Sequence, residues 1–271
     1  MNRPLLLFFG IAYLWAWPFV LAVAFWKVPI EWFIPASFGP TIAAVAAHRL
    51  TAGNYRAFHW YSNWRRVAAG AAAAIVFTLL AFVVLPGLLL TEDPRKLNWS
   101  ILLSLNVYNY STLLGGPLGE EPGWRGYALP RLQERFGPVR AWLILGALWT
   151  TWHLPAFWCA EWHAPPFGIY LPLMMSLCAI LNFSTNLARD AVIPAILGHA
   201  AFNTVSQYLA GLFANTPMSN SNVFWTAVNA VVTAMGIGSL SISVNLVVAG
   251  CGLTVALLIL AATKGRLARL M

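Results

Sequence analysis

Apolar segments long enough to cross a membrane recur along almost the whole of this chain. Of its 271 residues, 60% are hydrophobic and 9% are charged, and the mean hydropathy is +0.70. A soluble globular domain carries about a quarter charged residues, whereas a spanning helix needs about 20 mostly apolar ones. The pattern therefore predicts an all-α polytopic membrane bundle and excludes a soluble globular domain.

About eight transmembrane helices are predicted from the apolar runs. They lie at 5–26, 33–50, 67–90, 99–118, 139–158, 168–187, 191–212 and 244–263. Residues 223–240 are also apolar, but Asn229, Gly236 and Gly238 interrupt the run, and Ser239, Ser241 and Ser243 lie at and just beyond its end. That segment is either re-entrant or interfacial, or it is a ninth span. No repeat or linker divides the sequence, so residues 1–271 are interpreted as a single integral membrane domain.

The distribution of basic residues predicts the orientation of the bundle. With eight spans and a cytoplasmic N-terminus, Lys27, Arg95 and Lys96 face outward and all the other lysines and arginines, of 16 in total, face the cytoplasm. Cytoplasmic loops are enriched in these residues. We therefore expect a multi-pass protein of the inner (plasma) membrane with both termini cytoplasmic. Topology accounts for the net charge of +8, so no nucleic-acid partner is implied, and anionic lipids are favoured neighbours.

A pair of adjacent acids, Glu120 and Glu121, follows a Gly- and Pro-containing span end. Ionisable groups at membrane depth are functional candidates because they are costly there unless paired or hydrated. Glu121 and Arg125 are four residues apart and can pair on one helix face. Glu120 points elsewhere and has no sequence-local cation, which suits a general base. The alternative is that both acids are solvated at the interface beside nearby arginines.

Two histidine motifs add further polar groups to apolar spans. Trp149 precedes His153 by four residues, and His199 precedes Asn203 by four, so each pair shares a helix face. The second pair can donate hydrogen bonds to a developing oxyanion. Each motif alone is also compatible with simple hydrogen bonding between helices, the role expected for Asn182 and Asn186. Three motifs on three helices together favour a catalytic site.

Glu120 and His153 would lie at different depths in the membrane if every helix were straight. His153 lies about 22 Å along a helix counted from Pro138, whereas Glu120 ends a span and is expected near the cytoplasmic face. The two meet only if the fifth helix starts outside the hydrocarbon or if residues 120–137 dip inward. The positions of Arg131 and Arg135 favour the first arrangement.

The three motifs resemble those of the CPBP family, the CAAX protease and bacteriocin-processing (Abi) family. They read Glu120-Glu121-x-x-x-Arg125, Trp149-x-x-x-His153 and His199-x-x-x-Asn203. The sequence around Glu120, Glu-Glu-Pro-Gly-Trp-Arg-Gly-Tyr-Ala-Leu-Pro, resembles bacterial members closely, and Phe38-Gly39-Pro40 fits as well. The motif core covers residues 99–205. The family usually has phenylalanine where this chain has Trp149, and we treat that change as neutral because an aromatic side chain is retained.

The resemblance implies an intramembrane endopeptidase with a conical polar cavity open to the cytoplasm. By motif, Glu120 would activate the attacking water and His153 would hold it, while Glu121, paired with Arg125, would support the site. His199 and Asn203 would stabilise the tetrahedral oxyanion. The implied substrate is a membrane-associated peptide, lipidated or not, or a C-terminal CAAX-like one. The oligomeric state is left open.

No cofactor is predicted. A zinc ion, if present, would use His153, His199 and Glu120 as ligands, but the HExxH spacing of common metalloproteases is absent. The resemblance to glutamate-dependent eukaryotic relatives favours a metal-free water. The alternative function is a non-catalytic membrane immunity or scaffold protein that binds partners through the same cavity. A transporter is less favoured because the sequence shows no inverted repeat.

Overall fold

The fold is helical throughout the part of the chain that the structure describes. The structure is a computed structural model that describes residues 3–52, 59–90, 113–214 and 240–268. Within these ranges there is no strand, and the one isolated bridge joins His59 to Ala191. The predicted all-α polytopic class is therefore confirmed.

The helices are numbered here in chain order. They are α1 (Arg3–Trp26), α2 (Phe33–Ser37), α3 (Gly39–Ala52), α4 (Trp64–Leu79), α5 (Leu85–Leu90), α6 (Pro117–Glu121), α7 (Leu129–Trp152), α8 (Phe167–Leu187), α9 (Ile193–Ala214) and α10 (Leu240–Ala262). A π-helical turn at Leu80–Val84 joins α4 to α5, and a second at Pro122–Ala128 joins α6 to α7. Short 3₁₀ turns lie at Ile30–Trp32 and Leu154–Trp158.

Five helical segments within the described ranges are long and apolar enough to cross a membrane. They are Arg3–Trp26, Ile30–Thr51, Trp64–Leu90, Phe167–Leu187 and Val244–Ala262. Each matches one of the predicted spans. The predicted spans at 139–158 and 191–212 overlap α7 and α9, whereas most of 99–118 and nearly all of 223–240 lie outside the described residues. The total of eight spans stays a prediction.

A sharp reversal at Gly137 turns α6, the π-helical turn and α7 into a helical hairpin. Gly137 has φ 76° and ψ 166° inside α7, a backbone conformation that glycine adopts without steric cost. The two arms, 117–136 and 138–152, pack antiparallel. The ring of Trp124 lies 5.9 Å from that of Trp152, and the indole of Trp149 bonds the carboxylate of Glu120. Both contacts join residues on opposite sides of Gly137 that an unbroken helix would hold about 40 Å apart, so the chain reverses there.

The hairpin resolves the mismatch in depth that the sequence presents. Glu120 lies near the start of the first arm, and because residues 91–112 lie outside the described ranges, its place at the end of a preceding span stays a prediction. Because the arms are of similar length, the end of the returning arm comes back to the level of Glu120. Residues 120–137 thus supply the missing depth, and where the returning arm begins relative to the hydrocarbon stays a prediction.

The returning arm ends one residue before His153. Helix α7 stops at Trp152, with His153 at its C-cap, and Leu154–Trp158 continues as a 3₁₀ turn. Pro155 has no N–H to donate to the carbonyl of Thr151, and a residue before proline disfavours α-helix. The helix predicted to run to residue 158 is therefore shorter at its end.

Contacts with α1 place this level near the middle of a membrane span. The hydroxyl of Tyr13 donates to the carbonyl of Leu148 at 2.6 Å, and Trp152 Nε1 donates to the carbonyl of Ala12 at 3.1 Å. Tyr13 lies about 15 Å along α1 at 1.5 Å per residue, in a helix of 24 residues. The end of the hairpin therefore lies at mid-depth of the bundle.

Small residues let the hairpin approach α2 and α3 closely. A Cβ added to Gly119 would lie 2.6 Å from the carbonyl oxygen of Ser37, and one added to Gly123 would overlap Pro40. Thr41 Oγ1 also donates to the carbonyl of Gly119 at 2.6 Å. Small residues four apart permit this kind of packing between membrane helices. The Phe38-Gly39-Pro40 segment and the Glu-Glu-Pro-Gly segment therefore lie against each other.

Candidate active site

Glu121 is the centre of a fully buried ionic cluster. Neither Glu121 nor Arg125 has any exposed surface. Arg125 Nη1 donates to both carboxylate oxygens of Glu121 at 3.0 Å, and His199 Nδ1 lies 2.7 Å from Glu121 Oε1. The pair expected from the spacing of Glu121 and Arg125 is thus present. Because both oxygens are engaged, Glu121 holds a cation and a histidine and does not face open space.

This contact determines which nitrogen of His199 carries a hydrogen. An ionised carboxylate only accepts hydrogen bonds, so His199 Nδ1 is the donor to Glu121. The other ring nitrogen, Nε2, is then an acceptor in the neutral ring and a donor in the imidazolium. An oxyanion-stabilising role for His199 therefore requires the protonated ring.

Three polar atoms converge on the space in front of Gly116. A Cβ placed on Gly116 would lie 3.2 Å from Asn203 Nδ2, 3.5 Å from Glu120 Oε1 and 3.7 Å from His199 Nε2. The absence of a side chain at this residue leaves an atom-sized space bordered by an amide donor, a carboxylate oxygen and an imidazole nitrogen. We refer to this as the Gly116 space. It is where a reacting group can contact all three.

Glu120 lies in different surroundings from Glu121. Its residue is 4% exposed, and its Oε2 accepts a hydrogen bond from Trp149 Nε1 at 2.7 Å. No ion pair to Glu120 is formed within the described residues. Glu120 also lines a cavity of about 40 Å³ together with Ser37, Gly115 and His153. Since one water needs about 10–15 Å³ on this measure, the cavity has room for about three.

His153 borders the same cavity with one nitrogen already used. Its Nδ1 lies 2.8 Å from the backbone carbonyl of Trp149, so Nδ1 carries the hydrogen and Nε2 of the neutral ring is an acceptor. The ring packs against Trp152, Trp162 and Tyr170, with centroids 4.9 to 6.0 Å apart. These aromatic neighbours hold the imidazole in place beside Glu120.

The cavity extends from Glu120 toward the C-terminal half of α1, where Val20 and Trp162 line it. A cytoplasmic mouth for this cavity, as the resemblance implies, needs that end of α1 to be cytoplasmic. The distribution of basic residues instead places the N-terminal end of α1 there. These two expectations conflict for this cavity, and the direction of opening stays a prediction.

The structure brings together the residues that the motifs singled out. Glu120, Glu121, Arg125, Trp149, His199 and Asn203 form one connected cluster, and His153 joins it through the Trp149 carbonyl and the shared cavity. Asn182 bonds between helical segments, the role predicted for both asparagines, whereas the partner of Asn186 lies in the turn after α10. Asn182 Oδ1 accepts from Arg125 Nε at 3.4 Å, and Asn186 Nδ2 donates to the carbonyl of Leu267 at 2.8 Å.

Two neighbours of the site were not predicted from sequence. Gly116 was interpreted only as part of the Gly- and Pro-containing span end before Glu120, although a glycine also permits close approach of other groups. Tyr170, whose ring lies 5.8 Å from that of His153, had no such signal because a tyrosine in an apolar helix is ordinary.

No metal-binding group is evident in 3–52, 59–90, 113–214 and 240–268. Within those residues, no three His, Cys, Asp or Glu side chains form a group that can hold a metal ion. Both histidines near Glu120 already use Nδ1 in hydrogen bonds, which leaves each of them one nitrogen, Nε2.

Comparison with known proteins places the site within a matched segment. Residues 96–205 match the family model described as type II CAAX prenyl endopeptidase Rce1-like. The CAAX prenyl protease 2 of Methanococcus maripaludis is 25% identical over 177 residues, covering 58% of this chain and 64% of that protein. The chain thus spans somewhat less than two thirds of this curated relative. Every candidate site residue lies within the family match, which confirms the resemblance drawn from the motifs.

Proposed function

We propose, from the match of residues 96–205 to the Rce1-like family of type II CAAX prenyl endopeptidases, that this protein is an intramembrane endopeptidase. In this proposal Glu120 activates a water molecule that hydrolyses a peptide bond. The observation that carries it is the convergence of Glu120 Oε1, His199 Nε2 and Asn203 Nδ2 on the Gly116 space, beside a cavity with room for water.

The first step is attack by water on the scissile carbonyl. Glu120 Oε1 accepts a proton from the water, and the resulting hydroxide forms a bond to the carbonyl carbon. His153 Nε2, an acceptor, holds the second hydrogen of the same water and orients it. The carbonyl oxygen becomes an oxyanion, which Asn203 Nδ2 and protonated His199 Nε2 stabilise as hydrogen-bond donors.

The second step is the release of the products. Glu120 gives its proton to the amide nitrogen as the carbon–nitrogen bond breaks, so the leaving group departs as an amine and the acyl part as a carboxylic acid. Glu121 takes no part in proton transfer. It orients His199 through the contact with Nδ1, while Arg125 balances the charge of Glu121. This division of labour needs no serine or cysteine nucleophile.

The substrate is a peptide that reaches mid-depth of the bilayer. The site lies level with the middle of α1, so the scissile bond must enter the hydrocarbon region. A membrane-associated peptide satisfies this requirement, and a lipidated C-terminal CAAX-like peptide, the substrate type named for the relative, satisfies it directly. We propose a metal-free water and a plasma-membrane location with cytoplasmic termini.

The test is a search for peptide ends that depend on Glu120. Membranes from cells that express the wild-type protein or Glu120→Gln are compared by sequencing C-terminal peptides, and each candidate is then cleaved by purified protein in lipid vesicles. We expect new C-termini with the wild type alone and unchanged cleavage after treatment with a chelator. Identical C-termini in both membranes would favour the non-catalytic immunity or scaffold role, and loss of cleavage with chelator would refute the metal-free water.

A further inference from the structure

Trp149 contacts four other residues of the candidate site. Its Nε1 donates to Glu120 Oε2 at 2.7 Å, and its ring lies 3.9 Å from the guanidinium carbon of Arg125 and 5.3 Å from the ring of His199. Its backbone carbonyl accepts from His153 Nδ1 at 2.8 Å. The side chain is fully buried, so its position is fixed by these neighbours.

The indole N–H acts on the oxygen of Glu120 that does not face the Gly116 space. The terminal torsion of a glutamate is broad and only weakly constrained by its own rotamers. A donor bound to Oε2 therefore restricts the plane of the carboxylate, and Oε1 is left directed at Asn203 and His199. A phenylalanine would keep a ring over Arg125 but has no hydrogen to donate to Glu120.

We infer that Trp149 is a positioning residue whose indole N–H orients the Glu120 carboxylate toward the Gly116 space. The inference rests on the proposed function, because it concerns the orientation of the general base. It also corrects the expectation that any aromatic residue serves equally well at this position. An aromatic ring alone is not equivalent to tryptophan here, although the sequence suggested that it was.

The chain provides a matched control on the same helix. Trp142, seven residues earlier in α7, is 6% exposed and donates its indole N–H to the carbonyl of Met175 at 2.8 Å. Replacing Trp142 by phenylalanine removes a buried indole hydrogen bond without touching Glu120. Any loss of activity or stability that comes only from a smaller ring or a missing indole hydrogen bond in α7 is therefore common to both variants.

The kinetic test compares Trp149→Phe with Trp142→Phe on a peptide that the wild type cleaves and Glu120→Gln does not. We expect kcat of Trp149→Phe to fall about 10- to 100-fold, the size associated with one hydrogen bond to a charged group. We expect KM to change less than about twofold, since substrate binding is not altered. Trp142→Phe should keep the wild-type kcat, with a similar small loss of thermal stability in both variants.

Equal kcat values for the two variants would overturn the inference while leaving the proposed function intact. A second readout does not depend on cleavage. In spectra of ¹⁵N-tryptophan-labelled protein, the indole signal lost in Trp149→Phe should move in Glu120→Gln, because its acceptor loses its charge, while the Trp142 signal stays in place. A Trp149 signal that does not respond would also overturn the inference. If the wild type cleaves no peptide but that signal moves, the proposed function fails and the contact itself stands.

Discussion

Glu120 and Glu121 are adjacent in the chain but lie in opposite surroundings. Glu121 is enclosed by Arg125 and His199, with both carboxylate oxygens used. Glu120 accepts a hydrogen bond from the neutral indole of Trp149 at Oε2, and its Oε1 borders the Gly116 space. The residue also lines the small cavity. Successive residues of a helix point about 100° apart, so one acid reaches the cation while its neighbour reaches the space where chemistry can occur.

Charge pairing and access to the cavity distinguish the structural acid, Glu121, from the catalytic candidate, Glu120. A buried carboxylate with a saturated ion pair contributes to the integrity of the site. A carboxylate with a single neutral donor and a free oxygen has capacity left for a proton. Three substitutions sharpen or break this distinction, starting with the one expected to have the largest effect.

Glu121→Gln should destabilise the protein strongly. The substitution leaves Arg125 buried without its counter-charge, and breaking a buried pair in this way costs about 3–5 kcal/mol. The measurement is the free energy of unfolding in a denaturant titration of detergent-solubilised protein. Glu120→Gln, the same change one residue away, is the control and should unfold like the wild type. Equal stability of the two variants would remove the structural role assigned to Glu121.

Gly116→Ala should slow cleavage with little effect on folding. The added methyl group would lie within 3.2 to 3.7 Å of Asn203, Glu120 and His199 and would occupy the space proposed for the reacting group. A displacement of about 1 Å at a reacting centre costs about 100-fold in rate. Gly168→Ala is the control, because a methyl group there meets nothing within 4 Å. Full activity of Gly116→Ala would show that the reaction takes place elsewhere.

Asn182→Ala should have the smallest effect of the three. Its Oδ1 accepts a bond from the charged Arg125 Nε, and hydrogen bonds to charged groups contribute about 1.5–3 kcal/mol. At 3.4 Å this bond is long, so the lower end of that range, about 1.5 kcal/mol, is expected. The free energy of unfolding should fall by roughly that amount, while kcat and KM stay at wild-type values. A fall in kcat without loss of stability would instead extend the catalytic site to α8.

Much of the cluster follows from sequence because its key pairs are local. The four-residue spacings that place Glu121 near Arg125 and His199 near Asn203 are properties of any helix. The apolar runs likewise predict the five membrane-spanning segments found in the described ranges. Both features follow from residues that are close to one another in the sequence.

The hairpin at Gly137 and the donor role of Trp149 did not follow from sequence. A Gly-Pro pair marks a break, but the reversal of direction depends on how the two arms pack against α1 and α3. The indole of Trp149 bonds a carboxylate 29 residues away, a distance that only this hairpin closes. Gly116 was missed for a similar reason, because two of the three groups around its missing side chain, those of His199 and Asn203, come from α9, more than 80 residues further along the chain.

The most direct test of the account is the cleavage rate of purified Glu120→Gln beside its stability. The account predicts at least about a 100-fold loss of kcat, as expected when a general base is removed, with an unfolding free energy equal to that of the wild type. The amide oxygen introduced by this substitution can still accept the hydrogen bond from Trp149, so the surroundings are preserved. A Glu120→Gln protein that cleaves its peptide at the wild-type rate would contradict the assignment of Glu120 as the base.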